Sequence, residues 1–235
     1  MTEKNKRFTK GIVRKREDLT SDLWKVWIEP EEKFNFDPGQ YCTVGYDNIE
    51  RPYSIASSPD ENLIELFIEL VPEPLGNLTP LLYELNIGAE ITLRKRPKGI
   101  FKFQSQFKNH IMISTVTGVA PFVSMIRSID FKNTDYKIWI FEGASFINEF
   151  GYSNELTSIS KTNEKIMPDA VFKKLLRVFL TSLFKTDINL IDKTGNTHGI
   201  TFKIKPPKND ITKYKIIVFL KKFFLGNSSN ATLSI

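Results

Sequence analysis

The chain has 235 residues, 41% hydrophobic and 26% charged, with a net charge of +6. These are the proportions of a globular protein, and the length suits two compact units of roughly 100–130 residues. A single cysteine (Cys42) and two histidines (His110 and His198) exclude an internal disulfide and a Cys-rich cage, and give no basis for a zinc site or a His-based triad; no metal is expected.

The first 100 residues read as β-structure. "TKGIVRKREDL" and "DLWKVWIEP" alternate apolar and polar residues with the two-residue period of half-buried strands. "DPGQ" at 37–40 has the chemistry of a type II turn, Pro38 presetting φ and Gly39 supplying φ > 0. It launches "YCTVGY", and "RPYS" (51–54) lies on the next strand, followed by the mostly buried "LIELFIELV" (63–71). A short helix, "LTPLLYELN", separates these from "GAEITLRKRPKGIFKF". About six strands with one helical interruption predict a small antiparallel barrel.

The pattern then switches. "HIMIST" is an apolar strand, "VTGVAP" a glycine turn, "PFVSMIRSI" an amphipathic helix and "YKIWIFEGA" a second buried strand. Strand, turn, helix and strand predict the start of a parallel sheet. Further on, "PDAVFKKLLRVFLTSLFK" (168–185) carries Phe172, Leu175, Leu176, Phe179, Leu180 and Leu183 on one helical face, with Pro168 in the first turn. "INLIDKTGNTHGITFKIK" reads as a hairpin pair, and "YKIIVFLKKFFLG" fits a strand or a helix.

Charge divides the chain in two. Residues 1–156 hold 19 Lys and Arg against 22 Asp and Glu; residues 157–235 hold 14 against 5. The basic tail reads most simply as a solvated cover for the sheet. The sharper alternative is a helix for a membrane surface or an acidic partner. No nucleic-acid motif accompanies it, so no nucleic-acid partner is expected. The opening "MTEKNKRF" is polar, unlike a signal peptide or anchor, and "IIVFLKKFFL" is interrupted by two lysines. That run falls far short of the roughly 20 residues of a membrane span. A cytoplasmic location is expected.

"RPYS" does not have the composition of a packing strand. Arg51 and Tyr53 share one face of it, Pro52 and Ser54 the other. An arginine fork suits phosphate oxygens, a tyrosine face suits a ring system, and a serine hydroxyl suits a heterocycle's edge. Phosphate, ring and polar edge together describe a flavin nucleotide.

With "DPGQYCTV", "RPYS", "GNLTPLLYELNIGAEI", "KGIF", "TVTGVAPFVSMIR" and "FEGASFINEFGYSNEL" in this order, residues 8–156 resemble the ferredoxin/flavodoxin–NADP(H) reductase family. The resemblance implies a FAD-binding barrel over residues 1–104 and an NAD(P)-binding α/β domain over 105–235, divergent from 157 onward. It implies that Arg51 holds the flavin pyrophosphate on the "RPYS" strand. Tyr53 would stack on the isoalloxazine and Ser54 would lie near its reactive nitrogen, so that Tyr53 and Ser54 are the residues at the reacting centre, with Pro52 between them. Phe67 would touch the nucleotide. Gly76, Asn77, Leu78 and Thr79 would lend amides and a hydroxyl to the pyrophosphate. Thr117 and Gly118 would lie nearest the two reacting rings, and Ala144 and Ser145 would line the dinucleotide side.

The implied activity is electron transfer between NADPH or NADH and ferredoxin or flavodoxin through FAD. The sequence departs from the family in three places. Val116 stands where many relatives have glycine, and Ser145 where relatives often place an arginine that helps bind NADP(H). The family's serine–arginine pair and Cys-Gly-x-Pro turn have no counterpart after residue 156. Two alternatives stay open. One is a flavin-binding protein or remnant with a defective nicotinamide site; the other is an oxygenase-type reductase component.

Overall fold

The computed structural model describes residues 7–172 and the strand Tyr214–Phe219. The chain divides into two compact units. The first runs to Phe103 and adds Ala120–Ile129; the second holds Gln104–Val119 and the residues from Asp130 onward.

Six antiparallel strands build the first unit: β1 (Phe8–Asp18), β2 (Leu23–Pro30), β3 (Tyr41–Tyr46), β4 (Ile49–Ser54), β5 (Ile64–Glu69) and β6 (Glu90–Arg94), in the order β4-β3-β6-β1-β2-β5. The end strands meet through a bridge between Ile55 and Leu66, with the Ala56 amide donating to the Glu65 carbonyl at 2.8 Å. This nearly closes the barrel. The interior follows from the two-residue period. Trp24, Val26 and Ile28 alternate along β2, Ile64, Leu66 and Ile68 along β5, and Ile91 and Leu93 along β6, all within one buried cluster. Each such aliphatic side chain contributes about 1.5–3 kcal/mol on burial. The long β1 pairs with β6 over Phe8–Ile12 and with β2 over Gly11–Asp18, the latter with a register shift between Val13 and Lys15.

The predicted turn at 37–40 is present: Gly39 has φ 94° and the Gln40 amide donates to the Asp37 carbonyl at 3.1 Å. A short helix, α1 (Thr79–Tyr83), interrupts the strands where expected. The first unit also takes in α2 (Ala120–Arg127), buried along all its length except at Arg127.

The second unit carries a parallel sheet of β7 (Asn109–Thr115), β8 (Lys137–Ala144), β9 (Ile166–Phe172) and β10 (Tyr214–Phe219), ordered β10-β7-β8-β9. Helix α3 (Ser153–Thr162) lies between β8 and β9. An antiparallel barrel followed by a parallel sheet is the architecture expected from the sequence.

The helix expected over 168–185 is corrected where the structure describes it. Residues up to Phe172 form β9, and Pro168 pairs with Ile140 of β8. Of the apolar stripe that suggested a helix only Phe172 falls in β9, and parallel pairing to β8 sets the conformation of 168–172. Among the described strands β9 lies at the sheet's edge, where proline's missing N–H is tolerated. The rest of that segment and the hairpin expected over 188–205 lie outside the described residues. "YKIIVF", read as strand or helix, is strand β10. Among the described residues no helix is long and apolar enough to cross a membrane.

Candidate functional site

Of the six barrel strands, β4 is the one with no fully buried residue. Its Ile49 and Tyr53 rest against the core without being fully buried. Arg51 is exposed, and its guanidinium donates to the side-chain oxygen of Asn77 at 2.7 Å and to the Glu50 carbonyl at 2.7 Å. Two of its five N–H groups are used in this way, which leaves donors for a phosphate. The two residues are 26 positions apart, so the fold brings β4 and the 71–79 loop to one place.

Tyr53 pairs across the strands with the fully buried Cys42, and its ring is partly buried against the barrel core. Burial pushes its hydroxyl well above the ordinary range. The Arg51 charge pulls it back and Cys42 adds a smaller upward push. The phenol stays protonated at neutral pH, a hydrogen-bond donor with a flat face. Burial raises the Cys42 thiol to about 12, opposed by a backbone hydrogen bond. Pro52 and Ser54 are half-buried, and Ser54 pairs with Tyr41 of β3.

Phe67 is 4% exposed and lies outside the barrel's interior cluster, which takes its neighbours Leu66 and Ile68. The strand alternation thus puts Phe67 on the outer face of β5, with Glu65. In the 71–79 loop, the Gly76 amide donates to the Pro72 carbonyl at 2.9 Å, and a Cβ on Gly76 would collide with the Val71 carbonyl. Only glycine allows that approach. The Thr79 hydroxyl accepts from the Val71 amide at 3.0 Å and donates to its carbonyl at 3.1 Å. That hydroxyl closes the loop, while Leu78 anchors it in the core at 1% exposure.

In the second unit, Val116–Val119 form a single 3-10 turn at the carboxyl end of β7, the sheet end where ligands of open α/β folds bind. Its Thr117 and Gly118 are both buried. The turn's positive φ falls on Val116, at 44°, although Val116 is β-branched and only 2% exposed. Side chains of that type rarely adopt this conformation. The Ser114 and Thr115 hydroxyls just before it are buried with no hydrogen-bond partner among the described residues.

At the end of β8, Ala144 is fully buried and Ser145 is exposed. The amides of Ser145 and Phe146 both donate to one carboxylate oxygen of Glu149, at 2.7 and 3.2 Å. Sequence reasoning missed Glu149. Its signal is the carboxylate three residues after Phe146, a capping-box spacing without the usual Ser or Thr.

The chain is 30% identical over 186 residues to the flavodoxin/ferredoxin–NADP reductase of Buchnera aphidicola, which covers 76% of this chain and 69% of that protein. It belongs to the ferredoxin/flavodoxin–NADP reductase family. The ferredoxin–NADP reductase of Pseudomonas aeruginosa is 31% identical over 147 residues, covering 60% of this chain and 56% of that protein's length. The chain thus spans between about half and two-thirds of these relatives.

Among solved structures, a ferredoxin NADP+ reductase from Neisseria gonorrhoeae with bound FAD and NADP superposes with a TM-score of 0.64. It is 22% identical, and the match covers 72% of this chain and 69% of that one. Ferredoxin–NADP+ reductase from Plasmodium falciparum gives 0.64 at 24% identity, covering 74% and 72%. Both likenesses show the reductase fold. No family model matches the chain.

Proposed function

We propose that this chain is a FAD-dependent oxidoreductase that passes electrons between NADPH or NADH and a small carrier protein, ferredoxin or flavodoxin. The observation that supports it most is the meeting of Arg51 and Asn77 beside a β4 that has no fully buried residue. Family membership supplies the setting, and the chemistry of these residues fits a flavin nucleotide. The exposed guanidinium would hold the pyrophosphate, Tyr53 would offer its ring to the isoalloxazine, and Ser54 would hydrogen-bond the flavin edge. The loop shaped by Gly76 and Thr79 would shelter the phosphates, with Phe67 beside the nucleotide.

Bound FAD would supply the exchange of two-electron hydride chemistry for one-electron steps. The residues bind and orient, and none has to act as acid or base. In the second unit, Thr117 and Gly118 would receive the nicotinamide end of the dinucleotide, with Ala144 and Ser145 toward its far end. The divisions proposed are a flavin-binding portion over 1–104 and a dinucleotide-binding portion over 105–235.

A second reading, a flavin-binding protein that no longer oxidises a dinucleotide, is favoured by one observation: the left-handed Val116 in the turn after β7. The two are separated by purifying the protein, recording its visible spectrum, and mixing it with NADPH or NADH without oxygen in a stopped-flow instrument. Bleaching of the flavin band supports the oxidoreductase. A yellow protein that neither dinucleotide bleaches supports the second reading, and a colourless protein that binds no added flavin overturns both.

A further inference from the structure

Helix α2 sits in the sequence between two strands of the parallel sheet, yet it belongs to the barrel unit. The chain enters the first unit again at Ala120 and leaves it after Ile129, so two of its three crossings between the units flank this one helix. Apolar packing, such as the Phe122 ring 5.7 Å from that of Phe101, is joined by a set of polar bonds that fix α2 on the barrel. Arg127, its last residue, donates to Glu65 Oε2 at 2.5 Å, to the Ala56 carbonyl at 3.2 Å and toward Glu61 Oε1 at 3.5 Å. The Ser124 hydroxyl donates to the Ser57 carbonyl at 2.7 Å, and the Ser57 hydroxyl accepts from the Glu65 amide at 3.1 Å. The Glu65 side chain is 2% exposed and that of Arg127 19%. A carboxylate buried to that degree is tolerated only with its counter-charge in place. Glu65 is the buried charge of β5, whose other carboxylate, Glu69, ends the strand, and Ala56 and Ser57 follow one residue after the β4 strand of the candidate flavin site.

We propose that Arg127 is a positioning residue: by its pair with buried Glu65 of β5 and its bond to the Ala56 carbonyl, it pins α2, and with it the two chain crossings that flank α2, to the barrel beside the end of the strand that carries Arg51, Tyr53 and Ser54. The proposal rests on the oxidoreductase reading for its kinetic consequence but not for the anchor itself. The turn carrying Thr117 and Gly118 is joined to α2 by the chain at Val119–Ala120, so slack in α2 passes directly into that turn. Misplacement of a reacting group by about 1 Å costs on the order of 100-fold in rate.

The test uses the flavin-loaded full chain and three forms: parent, Arg127→Lys, and the double variant Glu65→Gln with Arg127→Gln. The double variant removes both charges together, so it strands no buried ion and stays folded where a single deletion could fail. Hydrogen exchange is followed over residues 120–129 and, as a control, over β1 and β2. Flavin reduction is followed at saturating dinucleotide, alongside flavin stoichiometry.

The expected result for the double variant is exchange in α2 faster by about tenfold or more, with β1 and β2 unchanged. Flavin stoichiometry is retained, and limiting reduction is about 10- to 100-fold slower at little-changed dinucleotide affinity. Arg127→Lys, which keeps the charge and loses the fork, should fall between. Unchanged exchange in α2 overturns the anchor. Faster exchange with an unchanged limiting rate overturns the positioning role. A parent whose flavin neither dinucleotide reduces overturns the oxidoreductase reading and the positioning role with it, while the exchange measurement still decides the anchor.

Discussion

Arg51 Nη2 and Asn77 Oδ1 lie 2.7 Å apart, joining the exposed strand β4 to the loop that leads into α1. Asn77 thereby orients a guanidinium that would otherwise sweep a wide arc on its long side chain. A charge-assisted hydrogen bond contributes about 1.5–3 kcal/mol, or roughly ten- to more than hundredfold in affinity. Arg51→Ala is expected to weaken flavin retention by that factor and Asn77→Ala by less, measured by equilibrium dialysis against free FAD. Equal retention in parent and Arg51→Ala would remove β4 from the cofactor site.

Two residues of the 71–79 loop have an internal role. Gly76 clears the Val71 carbonyl, and the Thr79 hydroxyl takes both polar groups of Val71. Thr79→Val keeps the shape but strands an amide and a carbonyl, at about 1–3 kcal/mol for each buried group left unmade. The expected outcome is a lower thermal midpoint of the flavin-free protein, with a further loss in Gly76→Ala. If the flavin-free midpoint does not move while flavin affinity falls, Thr79 acts on the ligand directly.

His110 in β7 gives a pH signature. Burial pushes its imidazole below the ordinary value, partly offset by its hydrogen bond to the Phe107 carbonyl at 2.8 Å. The folded state thus favours the neutral ring, while the unfolded chain takes up a proton below about pH 6.5. Its stabilising contribution is full above that value and is lost as pH falls toward the lower folded pKa. Denaturant titrations should show the parent losing stability below about pH 6.5 more steeply than His110→Gln. Parallel curves for the two proteins would assign the acid response to other groups.

Much of this architecture was legible because strands with one buried face repeat every two residues, and Trp24, Val26 and Ile28 announce that face directly. The 37–40 turn was legible because proline and glycine each impose a backbone angle. Three features were not. β9 takes in the start of the segment read as a helix from Pro168, although the apolar stripe behind that reading begins only at Phe172, and pairing to β8 makes it a strand. α3 has one fully buried residue, Leu156, too little to mark a face. The Arg127–Glu65 pair spans 62 positions, and no local pattern encodes such a contact. Within the candidate site, residue types pointed to phosphate and ring chemistry. Which donors the chain keeps for itself, as at Thr79 and at the Ser145 amide, is fixed by three-dimensional neighbours.

The loop after β8 makes a prediction about the dinucleotide. No lysine or arginine occurs between Lys137 and Lys161, a stretch that holds Glu142, Glu149 and Glu155. The Glu149 carboxylate already occupies the amides of Ser145 and Phe146, which would otherwise be donors for an anion. A 2′-phosphate brought to these amides would meet the Glu149 carboxylate, with no lysine or arginine within the 138–160 stretch beside it, whereas a bare ribose hydroxyl would not be repelled. Flavin reduction by the parent is therefore expected to show little preference for NADPH over NADH. Ser145→Arg places a fork at an exposed position beside this loop and should shift the ratio of dissociation constants toward NADPH by about tenfold, most clearly at low ionic strength. The measurement is the dinucleotide dependence of flavin reduction for both cofactors in both proteins. Strong NADPH selectivity in the parent, unmoved by the arginine, would mean that the 2′-phosphate is bound elsewhere than at the end of β8.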